Sequence, residues 1–418
     1  MKTTRRTVLG LPFAAVPSRA AADWDVGVEQ VTHGPKHHFF GYIGHVKNTP
    51  WNHSGRYMAV LRTSFQDHRP APAEAAEVVL IDTLRNNEID VIDQCRAWNP
   101  QQGTMLYWNP RAGDTQLLFN DRDLATNRVF AVLYDIGRRR RVREFRFDDT
   151  PVGNSGVAQN GGHFLAINYG RLARLRPVTG YAAAHDWNPA MAAPDNDGIF
   201  LVEIATGRKR LLISFRQIAA QIITVRPDVE GKHLFINHTL WNRDDNRIFF
   251  FVRGVRSGIW DNNQERVDIP CTIRPDGTGL TVHEYMGGHP EWEFGPRLIG
   301  AAGGRQVLYD VDEKRITGEI GTPGILPRPG GDVALSFDGK WFVNGYREGR
   351  ENRYAILRRS DGVHTLTTGL PVDQWTGGEL RIDPSPCWNR TGDMIAVPAI
   401  AADAARTRQT FVLKIRKR

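Results

Sequence analysis

The stretch Pro50-Trp51-Asn52-His53-Ser54-Gly55-Arg56-Tyr57 decides the fold, because the chain repeats it with variations. It comes back as Tyr107-Trp108-Asn109-Pro110-Arg111-Ala112-Gly113-Asp114 and as Leu240-Trp241-Asn242-Arg243-Asp244-Asp245-Asn246-Arg247. Leu335-Ser336-Phe337-Asp338-Gly339-Lys340-Trp341 and Cys387-Trp388-Asn389-Arg390-Thr391-Gly392-Asp393 are further copies, and degenerate ones lie at Val157–Phe164 and Glu291–Arg297. A phrase recurring about every 45–55 residues marks a repeat architecture. In each copy a polar turn precedes a short apolar run, such as Tyr57–Leu61, Ile248–Val252 or Met394–Val397. This grammar predicts a hairpin. A second strand pair follows, at Val78–Ile92, Val129–Phe145, Ile199–Phe215, Gln306–Ile320 and Tyr354–Thr368.

Four short antiparallel strands per repeat make one propeller blade. The expected fold is all-β: a seven-bladed β-propeller of four-stranded antiparallel blades. The last repeat ends at Gln409–Ile415 one strand short, and Val26–Thr32 has strand character with no hairpin partner. The N-terminal strand is therefore expected to close the ring and remove an exposed sheet edge. Gln217–Thr224 reads as one short helix inside an insertion.

The expected organisation is a leader at 1–22 followed by a single propeller domain at 23–418. Thr4-Arg5-Arg6-Thr7-Val8-Leu9, the apolar Val8–Val16 and Ala20-Ala21-Ala22 have the pattern of a twin-arginine export signal with its cleavage site. The apolar stretch is too short for a permanent span. The expected location is periplasmic or secreted, with no membrane partner. Loss of the leader removes Lys2, Arg5, Arg6 and Arg19 from a net charge of +8. The mild basic bias that remains suits an anionic ligand. Arg138–Arg141 reads as a solvated hairpin tip, and no nucleic-acid motif is present. Cys95, Cys271 and Cys387 have no CxxC spacing, which leaves one disulfide or three buried thiols open.

The repeat register also locates candidate chemistry. The position three residues before the phrase's aromatic should ring the axis. It reads Asn48, Met105, Asn154 or Ser155, His238, His289, Asp332 and Ser385. Two histidines and a carboxylate at one repeat position point to proton transfer or cation binding. Before the first blade, His37-His38-Phe39-Phe40-Gly41-Tyr42-Ile43-Gly44-His45 offers three imidazoles and a phenol. Adjacent side chains on a strand point opposite ways, and Tyr42 and His45 are the candidates from it.

The chain resembles the seven-bladed polysaccharide lyases of the oligogalacturonate lyase and ulvan lyase type. The likeness rests on His38-Phe39-Phe40-Gly41-Tyr42, Asn120-Asp121-Arg122, Asn168 to Pro177 with Gly180-Tyr181, Asn237-His238, Gly288-His289-Pro290-Glu291-Trp292 and Asp383-Pro384-Ser385-Pro386. The resemblance implies β-elimination on uronate-containing acidic glycans. Such chemistry needs a carboxylate neutraliser, a base for the C5 proton and an acid for the leaving oxygen. On this reading His289 matches the base and His238 is a second acid–base group. Arg171, Arg122 and Arg174 are candidate neutralisers, and Tyr169, Tyr42 and Tyr181 candidate acids. The metal-binding histidines of oligogalacturonate lyases are replaced, so Asp332 and Asp383 are the candidate oxygen ligands for a divalent cation, against a metal-free, arginine-based mechanism. Tyr181 and Trp187 in the Arg176–Asp197 insertion are candidates to stack on sugar, the alternative being that Trp187 packs on its own blade. A second insertion runs Arg216–Lys232. The competing functions are a non-catalytic glycan- or protein-binding propeller and a carboxylate-dependent hydrolase.

Overall fold

The computed structural model describes residues 22–41, 46–284, 287–321 and 325–418. The leader expected at 1–22 therefore lies almost wholly outside the described residues, as do Tyr42 and His45. The described chain is strand and turn throughout, with short helices at Tyr169–Leu175 and Phe215–Ile222 and two 3-10 turns. The second helix matches the sequence reading within two residues. Ser214 and Gln217 cap it reciprocally, satisfying donors that a helix start leaves open.

Five sheets are four-stranded. Four of them take consecutive strands, as in His37–Phe39, Tyr57–Thr63, Ala76–Asp82 and Glu88–Cys95. The fifth joins Cys387–Trp388, Met394–Ile400 and Arg408–Lys417 to Trp24–Gln30, which pairs antiparallel from Trp24↔Lys417 to Gln30↔Phe411. The first strand of the described chain thus covers the edge of the last. Seven separate sheets are not what forms: the remaining sheet has nine strands. Two meanders, Gly287–Glu319 and Asp332–Leu366, merge there through one parallel contact, His289↔Asp332. Innermost strands adjoin in succession from Gly153–Val157 through His233–Trp241, Gly287–Trp292 and Asp332–Leu335 to Cys387–Trp388. The molecule is a β-propeller with four-stranded antiparallel blades.

The recurring phrase makes the turns and binds blade to blade. Asn52 Oδ1 accepts from the Tyr57 amide at 2.9 Å, Asn242 Oδ1 from Arg247 at 3.0 Å and Asn389 Oδ1 from Met394 at 3.0 Å. The Ser336 hydroxyl substitutes in its own copy, accepting from Trp341 at 3.0 Å. Four of the phrase's tryptophans are buried and donate the indole N–H to a carbonyl of the preceding blade. Trp108 reaches Pro50 O at 2.7 Å, Trp241 Gly156 O at 3.2 Å, Trp292 Leu240 O at 2.8 Å and Trp388 Ala334 O at 3.0 Å. All three cysteines are buried and free.

Trp388→Phe keeps most of the apolar burial but strands the Ala334 carbonyl. We expect it to lower stability by about 1–3 kcal/mol, the cost of an unmet buried acceptor, read as a reduced urea midpoint with unchanged slope.

Candidate functional site

The innermost strands do not run straight past the axis. Their pairing with the second strand slips at Asn154/Gly156, Asn237/Leu240 and Gly287/Glu291. Met105, His238 and Ser385 hold left-handed backbones, with φ of 54°, 59° and 41°. Such bulges re-aim a side chain away from the sheet face, and they fall at the register position singled out above. Successive positions lie close: Asn154 Nδ2 donates to Met105 O at 3.1 Å, the Ser155 hydroxyl is 2.6 Å from that of Thr239, the neighbour of His238, and the His238 and His289 ring centroids are 6.3 Å apart.

His289 and Asp332 form the centre of this ring. Nδ1 of His289 is hydrogen-bonded to one carboxylate oxygen of Asp332, and the Ser385 amide donates to the other at 2.8 Å. The approach depends on paired glycines ahead of each residue. A Cβ on Gly288, at φ 77°, would lie 2.5 Å from Gly330 Cα, and one on Gly331 would lie 2.1 Å from Gly345 O. The His289 side chain keeps 39% of its surface accessible, yet protein surrounds it, as it does any group lining a narrow channel. Burial acts to lower its pKa; the charge and hydrogen bond of Asp332, with Asp383, outweigh this and hold it above the ordinary 6.5. Burial pushes Asp332 up, but His289 and the Ser385 amide hold its carboxyl below the ordinary 3.8. This is a hydrogen-bonded imidazole–carboxylate pair in which Asp332 fixes the ring's orientation and favours its protonated form.

Asp383 lies beside this pair. Burial, then repulsion from Asp332, raises its pKa above 3.8, while Arg381, donating to it at 2.9 Å, pulls the other way. Arg381 also exerts its field on His289 and Asp332 and keeps 27% of its side chain accessible. It was missed in the sequence because it stands outside the repeated phrase. The signal available was its place two residues before Asp383, in the segment leading to the register position Ser385.

Other sequence candidates prove to be architecture. Tyr169 and Tyr181 are 1% and 0% exposed and stack at 4.3 Å. Tyr169 donates to Asn154 O at 2.9 Å and Tyr181 accepts from Asn120 at 2.9 Å, and burial drives both phenol pKa values up. Neither is placed to meet a solvent-borne sugar. Arg171 is 1% exposed and donates to the carbonyls of Leu234, Asn188, Met191 and Ala192, so it clamps the insertion. Arg122 is buried against Ala182 O at 2.5 Å. Burial lowers both guanidinium pKa values to about 10. Arg174 pairs with Asp186 at 2.9 Å, and Trp187 packs edge-on against Phe200 of its own blade at 6.4 Å. Gly170 and Gly180 permit this packing, since a Cβ on either would meet backbone at 2.3 and 2.2 Å. His37 and His38 face the seam, accepting from the Arg408 amide and bonding Gln409.

The two proposed cation ligands are engaged otherwise. Both Asp332 oxygens and one of Asp383 hold hydrogen bonds. Among the described residues no group of three or more His, Cys, Asp or Glu side chains is disposed to hold a metal ion. The donor set does not fit a divalent cation.

No protein-family model matches the chain, and no curated protein matches it by sequence. Solved structures do. An oligogalacturonate lyase in complex with manganese aligns over 95% of this chain and 97% of its own, with a TM-score of 0.60 and 12% identity. The Cps50 (Swd1) β-propeller domain of Myceliophteria thermophila aligns over 90% and 98%, at 0.47 and 14%. TolB from Acinetobacter baumannii aligns over 87% and 82%, at 0.40 and 12%. At these identities the likeness to the first establishes the propeller fold and nothing finer. No helix among the described residues is long and apolar enough to cross a membrane.

The pair has a defined pH window. The His289 contribution is complete below 6.5 and is lost as pH rises through the raised folded value. The Asp332 contribution is complete above 3.8 and is lost as pH falls through the depressed one. Asp332→Asn should therefore destabilise most between these values, by about 1–2 kcal/mol after allowance for the exposure of His289. Thermal unfolding of both proteins across pH 4–9 should show the difference shrinking at the alkaline end, and the His289 NMR titration should move to lower pH in the variant.

Proposed function

We propose that the chain is an exported polysaccharide lyase that cleaves uronate-containing acidic glycans by β-elimination. The observation that carries this reading is the oriented His289–Asp332 pair on the axis, with Arg381 and His238 beside it. Elimination requires removal of a C5 proton made acidic by neutralising the neighbouring carboxylate. His289 accepts that proton, Asp332 positions the ring and steadies its charge, and Arg381 replaces Arg171, Arg122 and Arg174 as the neutralising cation. His238 is the second proton-transfer group. The reading takes the nine-stranded sheet as two blades fused at the site. Seven blades then surround the axis, and Trp24–Gln30 ties the last to the first. It places the mature protein in the periplasm or outside the cell, where such glycans are met.

The test is incubation with ulvan, glucuronan, polygalacturonate, alginate, rhamnogalacturonan and glycosaminoglycans, following the ultraviolet absorbance of a new unsaturated uronate, with and without chelator. Activity on one class that survives chelation is expected. His289→Ala should lower kcat by about 10²–10⁴-fold, the usual share of a general acid–base group. With His289 as base, kcat/KM should rise with pH on an acidic limb above 6.5, and Asp332→Asn should move that limb to lower pH. Binding without any new absorbance or reducing ends would favour the non-catalytic propeller. New reducing ends without absorbance would favour a hydrolase.

A further inference from the structure

The phrase turns of several blades converge at one end of the axis. The residue after the phrase's Asn, or after its counterpart, is His53, Pro110, Gln159, Phe337 and Arg390 in five copies. All five line one cavity of about 210 Å³, together with Lys47. His238, His289, Asp332 and Asp383 are not among its lining residues. The cavity is thus lined by a second repeat position, together with Asn48 of the first ring.

Its charge is one-sided. Lys47 and Arg390 line it, His53 joins them, and no Asp or Glu does among the described lining residues. Lys47 sits at φ 55° in the segment that follows Val46, which is buried against Leu240 and Trp292 of other blades. The first blade's chain thus crosses the axis and carries an ammonium into the cavity. Lys47 forms no ion pair or hydrogen bond among the described residues. Arg390 lies over the Phe337 ring at 5.0 Å, and its Nε is buried without a hydrogen-bond partner. Asp244 and Asp245 act on Lys47 and Asp114 on Arg390, and two of these three carboxylates are engaged elsewhere. Asp114 accepts from Asn52 and the Ser54 amide, and Asp245 from the amides of Gln159 and Asn160. Burial lowers the pKa of both Lys47 and Arg390. Gathering two partly desolvated cations costs free energy that a bound anion would return.

We propose that this cavity is a second, non-catalytic site for a small oxyanion, a carboxylate or sulfate group, gripped by Arg390 and Lys47. The volume admits one such group with little more than a single sugar ring attached. The oxyanion could be the substituent of an acidic sugar or a free inorganic ion, and the two share the same recognition chemistry. The site stands independently of the lyase reading.

Isothermal titration of the full chain at low ionic strength separates the cases, using inorganic sulfate, methyl β-glucuronide and neutral methyl β-glucoside. Wild type should bind sulfate and glucuronide, more weakly as salt rises, and ignore the glucoside. Lys47→Ala and Arg390→Ala should each weaken binding about tenfold or more, and Arg390→Lys should restore part of it. His289→Ala should leave it unchanged. Glucuronide binding would mark a sugar-acid site, and sulfate binding alone an inorganic one. Undiminished binding in both cation variants with wild-type unfolding temperatures would overturn the proposal, as would loss of binding in His289→Ala or equal affinity for the glucoside. Lys47 lies in a segment outside the regular strands, so its variant remains informative if Arg390→Ala fails to fold.

Discussion

The structure depends on one recurring hydrogen bond, from a buried tryptophan indole to a carbonyl on the preceding blade. A four-stranded meander cannot bury both of its faces alone. The indole solves two problems together. Its ring fills the gap between sheets, worth about 1.5–3 kcal/mol of burial for a large apolar side chain. Its N–H reaches a carbonyl of the preceding blade and so ties the two sheets together. Because donor and acceptor occupy fixed places in the phrase, the bond also fixes the height of each blade against the next. Equivalent residues of different blades then share a level along the axis.

Shared level is what allows single residues to build a site. The bulges turn one position of the innermost strand towards the axis, and paired glycines let two such strands close in until His289 and Asp332 bond. The same contact merges two meanders into a nine-stranded sheet. Here the chemistry and the strand pairing are one interaction. A substitution that disturbs either glycine pair would reach the imidazole through the backbone.

Turn chemistry was the most legible part of the sequence. A side-chain oxygen that must cap a tight turn restricts the residue to Asn, Ser or Asp, so the phrase survives as text in Asn52, Asn242, Ser336 and Asn389. The axial register followed from it, since it is a fixed offset from a legible mark. Burial was not legible. Asn168–Pro177 with Gly180-Tyr181 carries the residue types of a catalytic motif, yet Gly170 and Gly180 serve close packing and Tyr169, Tyr181 and Arg171 are sealed beneath the surface. The helix Tyr169–Leu175 went unread for a similar reason. It is seven residues long, its start is capped by Asn168, and it has too few turns for a period to show. Arg381 was hidden because it stands outside the repeat.

The pairing of Trp24–Gln30 with Arg408–Lys417 has a consequence for how the molecule comes together. Among the described residues the other ladders join strands far closer in sequence, the parallel His289↔Asp332 contact included. This one must bring together segments separated by most of the chain, at the highest loop-closure cost in the molecule. The seam carries the largest sequence separation of any described ladder. Until it forms, the edge of the last sheet is open to pairing with another chain. A propeller of this kind is most exposed to misassembly in its final step, when nearly all of its core is already in place.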